Sequence, residues 1–178
     1  MDVCDNCGVA KAKMQSLSKV SDTKSNVNAE RMALDISSVK KKSYGGSKFW
    51  ALMQDDCSEN LWSMFVKQKS DLKDETIPLI KKIQKETGYT VKFIRCDNAG
   101  ENKKLQEAIE ADDKLQHIKF EYTAPDTPQQ NGKIERKFAT LFGRVRAMLN
   151  GAQVPENLRE GLWAQCADLA TDLDGIMV

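Results

Sequence analysis

Three carboxylates occupy places in this sequence where an acidic residue is unusual or lies close to a predicted turn. Asp35 lies in the middle of an alternating apolar segment, residues 31–39, although aspartate is uncommon in strands. A carboxylate buried there must be paired, protonated or bound to a metal. Asp97 follows a second apolar segment, and ligands of open α/β sheets collect beyond the carboxyl ends of strands. Glu135 stands near the start of a long amphipathic segment that follows a proline-containing loop, so the three are candidates for one site.

An all-oxygen set of two aspartates and a glutamate indicates hard-cation chemistry. Oxygen ligands suit Mg²⁺ or Mn²⁺, and we expect such a set to hold one or two ions. Bound there, the ions would activate a water or hydroxyl nucleophile and stabilise the leaving oxygen of a phosphoryl displacement. The alternative is that each acid is an ordinary solvated or salt-bridged residue, because the chain contains 26 of them.

Basic residues near Glu135 indicate a local anion-binding face. The net charge of +1 favours no partner by itself, yet five bases stand between residues 129 and 150 against Glu135 alone. Phosphate contacts are predicted for three of these bases, Lys133, Arg136 and Lys137. The side-chain amides of Gln130 and Asn131 could reach a base or a sugar. The alternative for all five residues is a solvated helix face and its capping loop.

The pattern of apolar residues predicts the elements that would position these side chains. With 40% hydrophobic and 30% charged residues, the chain can build an ordinary globular core. Period-two alternation and turn residues predict strands at residues 31–39, 48–54, 61–66, 89–96 and 117–122. Helical spacing predicts helices at about residues 71–87, 101–112 and 129–149 and a last helix from Pro155. The order β-β-β-α-β-α-β-α-α predicts an α/β fold, in which a three-stranded antiparallel meander continues into a mixed five-stranded sheet flanked by helices.

Two of these helices carry specific expectations about their faces. The helix at residues 129–149 should bury one apolar stripe, which consists of Ile134, Phe138, Leu141, Val145 and Leu149. The last helix should turn a second set of apolar residues inward, which consists of Leu158, Leu162, Cys166, Leu169 and Leu173.

The first residues carry half of a zinc site. Cys4 and Cys7 form a CxxC pair, but a structural zinc ion needs four ligands and no second CxxC follows. We therefore expect residues 1–28 to be the remnant of a zinc-binding module and a linker, with Zn²⁺ bound only if further ligands stood upstream. Residues 29–178 would form the catalytic domain. No apolar run of about 18 residues and no signal peptide are present, so we expect an intracellular protein without a membrane partner.

Several motifs in order resemble the integrase core of copia-type retrotransposons, which shares its RNase H-like fold with retroviral integrases and DDE transposases. The motifs are Cys4-x-x-Cys7-Gly8, Leu34-Asp35-Ile36, Gly46-Ser47-Lys48-Phe49-Trp50, Lys69-Ser70-Asp71, Arg95-Cys96-Asp97-Asn98-Ala99-Gly100-Glu101, Tyr122-Thr123-Ala124-Pro125, Thr127-Pro128-Gln129-Gln130-Asn131-Gly132, Glu135-Arg136-Lys137 and Arg146-Ala147-Met148-Leu149-Asn150. The resemblance covers nearly the whole chain, and the block that leads into Glu135 is its most specific part.

The resemblance implies a function. Asp35, Asp97 and Glu135 would be the DDE ligands of two Mg²⁺ or Mn²⁺ ions. The protein would trim the ends of an element's DNA and join them to target DNA, as a polynucleotidyl transferase. Its partners would be both DNAs and further copies of itself, and it would work in the nucleus after a stage in a cytoplasmic particle.

Departures from the family pattern keep a second interpretation open. Retroviral integrases carry basic residues one and two helical turns after the glutamate, whereas this chain has Ala139 and Phe142 there. The histidines that complete the family's zinc module are also missing. The alternative function is therefore a truncated or domesticated fragment that keeps the fold and binds nucleic acid without catalysing integration.

Overall fold

A five-stranded mixed sheet between two layers of helices forms the protein. The computed structural model describes residues 25–123, 128–152 and 154–176, and it describes the backbone alone for residues 128–131 and 176. The strands are β1 (Arg31–Ser38), β2 (Phe49–Asp55), β3 (Leu61–Val66), β4 (Phe93–Cys96) and β5 (Lys119–Tyr122). The helices are α1 (Leu72–Thr87), α2 (Gly100–Glu110), α3 (Pro128–Gly151), α4 (Glu156–Arg159) and α5 (Trp163–Ile176).

The strand order is β3-β2-β1-β4-β5, with β1 in the centre. The first three strands form the predicted antiparallel meander, and β4 and β5 join β1 in parallel. The predicted fold class is therefore confirmed. Strand β4 is shorter than predicted because the residues before it bond to helix α1 instead: the Tyr89 N–H donates to Thr87 Oγ1 and the Val91 N–H to Gln84 Oε1.

Alternation along the strands gives each face of the sheet its own core. Met32 and Leu34 of β1 are fully buried against α1 and α2, whereas Ala33 packs towards α3 and α5. On the second face, Trp50 is completely buried and meets the Phe138 and Phe142 rings edge-on at centroid distances of 5.3 and 4.9 Å. Truncating a ring buried this way typically costs about 3–5 kcal/mol, so this cluster fixes α3 on the sheet.

Helix α3 matches its predicted stripe. Ile134, Phe138, Leu141 and Val145 are buried, and Leu149 packs partly against the same cluster. The helix ends at Gly151, close to the predicted end. This stripe determines which side chains of α3 face the sheet and which remain free to meet a ligand.

Helix α5 buries a different face from the one its leucines predict. Leu169 and Leu173 are 52% and 37% exposed, and Leu158 in α4 is 46% exposed. The buried residues are Trp163, Ala164, Ala167, Ala170, Thr171 and Asp174. The prediction was wrong for Leu158, Leu169 and Leu173, because α5 packs on α3 and β3 through small side chains and an ion pair. Cys166 does pack partly against the core, and Leu162 is half-buried. No helix in the described ranges is long and apolar enough to cross a membrane.

Candidate metal and nucleic-acid site

The sheet brings Asp35 and Asp97 to the same level. Strands β1 and β4 are parallel and pair Ala33 with Arg95, so continuing that register by two residues places Asp35 beside Asp97. Side chains alternate between the two faces of a strand. Because Ala33 faces the α3 side of the sheet, Asp35, two residues further along β1, faces that side as well. Asp97 directly follows the last residue of the neighbouring strand β4.

The Asp35 carboxylate is half-buried and carries unfavourable electrostatics. Its Oδ1 accepts a 2.9 Å hydrogen bond from the Ile36 N–H. Burial raises the pKa of this carboxyl above its usual range, and the negative charges of Asp97 and Glu135 raise it further, while the Ile36 hydrogen bond and Lys69 act in the opposite direction. The structure therefore brings the two other predicted ligands within electrostatic range of Asp35.

The negative charges of Asp35 and Asp97 also affect the pKa of the Cys96 thiol. Burial raises its pKa to about 12, and the charges of Asp97 and Asp35 contribute to the increase. A thiol with so high a pKa stays protonated at neutral pH and is not a nucleophile. The residue therefore serves the core, as its complete burial shows.

Asp97 lies on the loop between β4 and α2, where its side chain is exposed. Its Oδ1 accepts hydrogen bonds from the Ala99 N–H at 3.2 Å and from Asn102 Nδ2 at 2.6 Å. Asn102 belongs to the buried stripe of α2 and was missed by the sequence analysis. The sequence feature that could have identified Asn102 is its position as a polar residue within the apolar stripe of this helix.

Lys69 is a second residue that the sequence analysis did not assign. Its Nζ lies 2.6 Å from a carboxylate oxygen of Glu101, and its charge lowers the pKa of Asp35. Burial raises the pKa of Glu101, but the hydrogen bond from Lys69, a backbone hydrogen bond and the Lys69 charge together outweigh it, and the pKa is lowered. Lys69 thus supplies positive charge beside the carboxylates, and Glu101 partly neutralises it.

The three carboxylates suit a divalent cation in their chemistry. All are oxygen donors, and the repulsion on Asp35 is of the kind that a cation relieves. Their spacing is wider than coordination requires, since the described part of the chain contains no group of three His, Cys, Asp or Glu residues that could hold one ion. Glu135 is exposed on α3, directly after the buried Ile134. A shared ion therefore requires the three side chains to approach one another.

The predicted phosphate-binding residues line a different surface from the one that carries Glu135. Lys133, Arg136 and Lys137 border an open groove of about 380 Å³, together with Glu59, Thr140, Arg144 and Asp174. Lys133 and Lys137 are four residues apart and share a helix face, whereas Glu135 lies midway between them on another. The structure therefore does not bring these three basic side chains to Glu135.

Most of the positive charge in this groove is paired. Lys133 lies 3.1 Å from Glu59, and the buried Asp174 of α5 receives Lys137 at 2.8 Å and Arg144 at 2.5 Å. Burial raises the pKa of Asp174, but the hydrogen bonds from these two cations outweigh it and lower the pKa. Among the described residues, Arg136 has no ion-pair partner. It is the cation best able to meet a phosphate.

Four predicted site residues cannot be placed. Cys4 and Cys7 lie outside the described residues, and so do the side chains of Gln130 and Asn131. Their predicted roles stay predictions.

The raised pKa of Asp35 predicts that its charge destabilises the folded protein without metal. The folded state keeps the Asp35 proton to a higher pH than the unfolded chain, so stability falls as pH rises from the ordinary value of 3.8 through the raised one. Asp35→Asn, which keeps an acceptor for the Ile36 N–H, should therefore melt at a higher temperature than the wild type at neutral pH in EDTA. The difference should shrink in acid, where both proteins are neutral at this position.

Thermal unfolding from acid to neutral pH measures this effect. Asp113→Asn, in the exposed turn after α2, is the matched control and should change the melting temperature little at any pH. A variant at Asp35 that is less stable than the wild type at neutral pH would refute the electrostatic interpretation.

Comparison with known proteins gives one sequence relative and several related structures. No protein-family model matches the chain. It is 30% identical over 174 residues to the retrovirus-related Pol polyprotein from transposon TNT 1-94 of Nicotiana tabacum. The match covers 94% of this chain and 12% of the polyprotein.

Solved structures with a similar fold include two retroviral integrase cores. One chain from the structure of the simian T-cell lymphotropic virus intasome in complex with PP2A regulatory subunit B56 gamma has a TM-score of 0.65 at 14% identity, over 90% of this chain and 53% of that one. The catalytic core of BIV integrase gives 0.54 at 16% identity, over 80% and 81%. The HTLV-2 integrase core in complex with magnesium, in a trimeric form, gives 0.51 at 17% identity, over 80% and 82%. By sequence the chain is thus similar to part of a retrotransposon Pol polyprotein, and its fold is the RNase H-like fold of the integrase catalytic cores.

Proposed function

We propose that the chain catalyses metal-dependent phosphoryl transfer on DNA, trimming the ends of an element and joining them to a target. The observation that carries the proposal is the position of Asp35 in β1 next to the carboxyl end of the parallel strand β4, which Asp97 directly follows. The charge of Glu135 on α3 acts on the same carboxylate. The integrase-like fold and the related HTLV-2 core in complex with magnesium support this choice.

Each carboxylate has a separate role in the proposal. Asp35 and Asp97 hold Mg²⁺ or Mn²⁺ from the sheet, and Glu135 completes the set from the helix. Two bound ions would supply the Lewis acidity that activates a water or a 3′-hydroxyl and stabilises the leaving oxygen. Lys69 limits the repulsion among the carboxylates.

Neutral variants of two ligands test the assignment of catalysis. Asp35→Asn and Glu135→Gln should each lower metal-dependent strand transfer more than about 100-fold, because even partners of metal ligands typically contribute 10–100-fold. The measurement is a disintegration assay on branched DNA with Mg²⁺ or Mn²⁺, which isolated integrase cores can often perform. Asp113→Asn should keep wild-type activity, and circular dichroism should confirm that all three variants fold. Full activity in either ligand variant would contradict the assignment.

One observation favours a second candidate, a fragment that binds DNA without catalysis. Among the described residues, no three His, Cys, Asp or Glu side chains lie close enough together to hold one ion. In the disintegration assay, this candidate predicts DNA binding without product from the wild type, with either metal.

For nucleic-acid binding we propose the groove that Lys133, Arg136 and Lys137 line, with Gln130 and Asn131 at the start of the same helix. To bind either lysine, a phosphate would have to displace its carboxylate partner, which weakens binding. Arg136 has no such partner in the described ranges. Arg136 should therefore contribute most of the phosphate contact. The predicted guanidinium–phosphate pair is of the strong, charge-assisted kind.

Salt dependence tests this surface. Because each phosphate contact releases a counterion, Arg136→Gln should weaken DNA binding for every sequence and reduce the slope of log affinity against log salt by about 1. Fluorescence anisotropy with labelled duplex DNA measures both quantities. Lys85→Gln on α1, on the other face of the sheet, is the charge-matched control and should leave the slope unchanged. An unchanged slope for Arg136→Gln would remove this surface from the proposal.

We propose that the protein also self-associates, through the leucines that α4 and α5 expose. Leu158, Leu169 and Leu173 lie on the outside of the last two helices, where 46%, 52% and 37% of each residue remains exposed. A set of exposed leucines on adjacent helices is a surface that a second copy of the chain could bury.

A charge placed on this surface tests the association. Sedimentation velocity at micromolar concentration should show an oligomer for the wild type and a monomer for Leu169→Lys, because burying an unpaired ammonium is unfavourable. Val27→Lys, at an apolar residue that is 48% exposed elsewhere, should behave as the wild type. A monomeric wild type, or an oligomeric Leu169→Lys, would argue against this surface.

A further inference from the structure

Asn102 is a polar residue at a buried position of α2, where an apolar residue would be expected. It lies with Leu105 and Ile109 on the buried stripe of α2 and is only 3% exposed. Those two neighbours belong to the core between α2 and the sheet, whereas Asn102 does not. An explanation for an amide there must come from what it contacts.

The amide of Asn102 binds one residue, the predicted metal ligand Asp97. Its Nδ2 donates to Asp97 Oδ1 at 2.6 Å and to the Asp97 backbone carbonyl at 3.2 Å. The Ala99 N–H donates to the same Oδ1 at 3.2 Å. One oxygen of the carboxylate is thus held by two donors. Within the described residues, no hydrogen bond reaches the other oxygen, Oδ2.

This arrangement leaves Asn102 itself incompletely satisfied. Its Oδ1 is buried and has no hydrogen-bond partner among the described residues. Turning the amide over would point its oxygen at two acceptor oxygens of Asp97, so the observed orientation is the only one that binds it. Native proteins leave few buried polar atoms unpaired, and they do so mostly at functional sites. A leucine here would avoid the unpaired atom, so stability does not explain the asparagine.

We propose that Asn102 is a positioning residue that orients the Asp97 carboxylate for a divalent cation, an inference that rests on the proposed metal-dependent function. With Oδ1 tied to the Asn102 amide and the Ala99 N–H, the carboxylate cannot rotate freely and Oδ2 stays available to the metal. A ligand fixed before the ion arrives loses less conformational freedom on binding it. The residue acts on the affinity for the ion and not on the fold.

Comparing the affinities for Mg²⁺ and Mn²⁺ distinguishes this positioning role from a purely structural one. Mg²⁺ requires nearly ideal octahedral geometry, so a freely rotating Asp97 should weaken Mg²⁺ binding more than Mn²⁺ binding. A residue that only supported the fold would weaken both ions equally or neither.

The experiment measures binding of Mg²⁺ and Mn²⁺ to the full chain by isothermal titration calorimetry, with melting temperatures recorded in EDTA. Asn102→Leu should melt at or above the wild-type temperature yet bind Mg²⁺ about 10–100-fold more weakly, the range for partners of metal ligands. Gln54→Leu is the matched control, since Gln54 is another buried amide with an unpartnered oxygen but does not contact a carboxylate of the site. It should leave both affinities unchanged.

A double variant shows whether Asn102 acts through Asp97. Asp97→Asn should weaken Mg²⁺ binding by itself, and adding Asn102→Leu should then have no further effect. If Asn102→Leu does not fold, Asn102→Ala replaces it in the same cycle. Wild-type Mg²⁺ affinity in the folded single variant, or additive losses in the double variant, would overturn the inference while leaving the proposed function intact. A wild type that binds neither ion would overturn both.

Discussion

The position of the Asp35 carboxylate is the constraint on which the rest of the site depends. Strand β1 is the centre of the sheet, and its pairing with β2 sets Asp35 opposite the buried Leu52. A shift of one residue would turn Met32 and Leu34 out of their core, so the apolar pattern holds the charge in place. Burial and two neighbouring carboxylates then make that charge unfavourable. The fold tolerates this arrangement because the core on the opposite face offsets it.

Helix α3 divides the chemistry of the molecule between its faces. Its apolar stripe is fixed by the aromatic cluster around Trp50, and Asp174 of α5 ties its basic face from the other side. Glu135 is left on a separate face, where its charge reaches Asp35. The proposed metal-binding and phosphate-binding residues of α3 therefore lie on different faces of one helix, although they are adjacent in the sequence.

Periodicity predicted most of the fold, and residue-by-residue chemistry predicted less of the site. The three-strand meander and the stripe from Ile134 to Val145 follow from apolar spacing, because packing obeys that spacing. The buried face of α5 does not follow from apolar spacing, because Ala167, Ala170 and Asp174 face α3. Leucines there would be too large, and they could not pair with Lys137 and Arg144 of α3 as Asp174 does. Lys133 and Lys137 are close to Glu135 in the sequence but point away from it, because two residues along a helix correspond to more than half a turn. Asn102 was missed by the sequence analysis because its role depends on two hydrogen bonds to Asp97, a residue on a loop.

These features describe a site in which stability and function compete. Asp35 and Asn102 each leave an unfavourable group inside the protein, and each interacts with Asp97, Asp35 through charge and Asn102 through hydrogen bonds. The most direct test of the account is anomalous scattering from crystals of the full chain soaked in Mn²⁺. The account predicts Mn²⁺ peaks bound by Asp35 and Asp97, with the Glu135 carboxylate drawn towards them. Crystals that hold Mn²⁺ only at other carboxylates, or none at all, would contradict it.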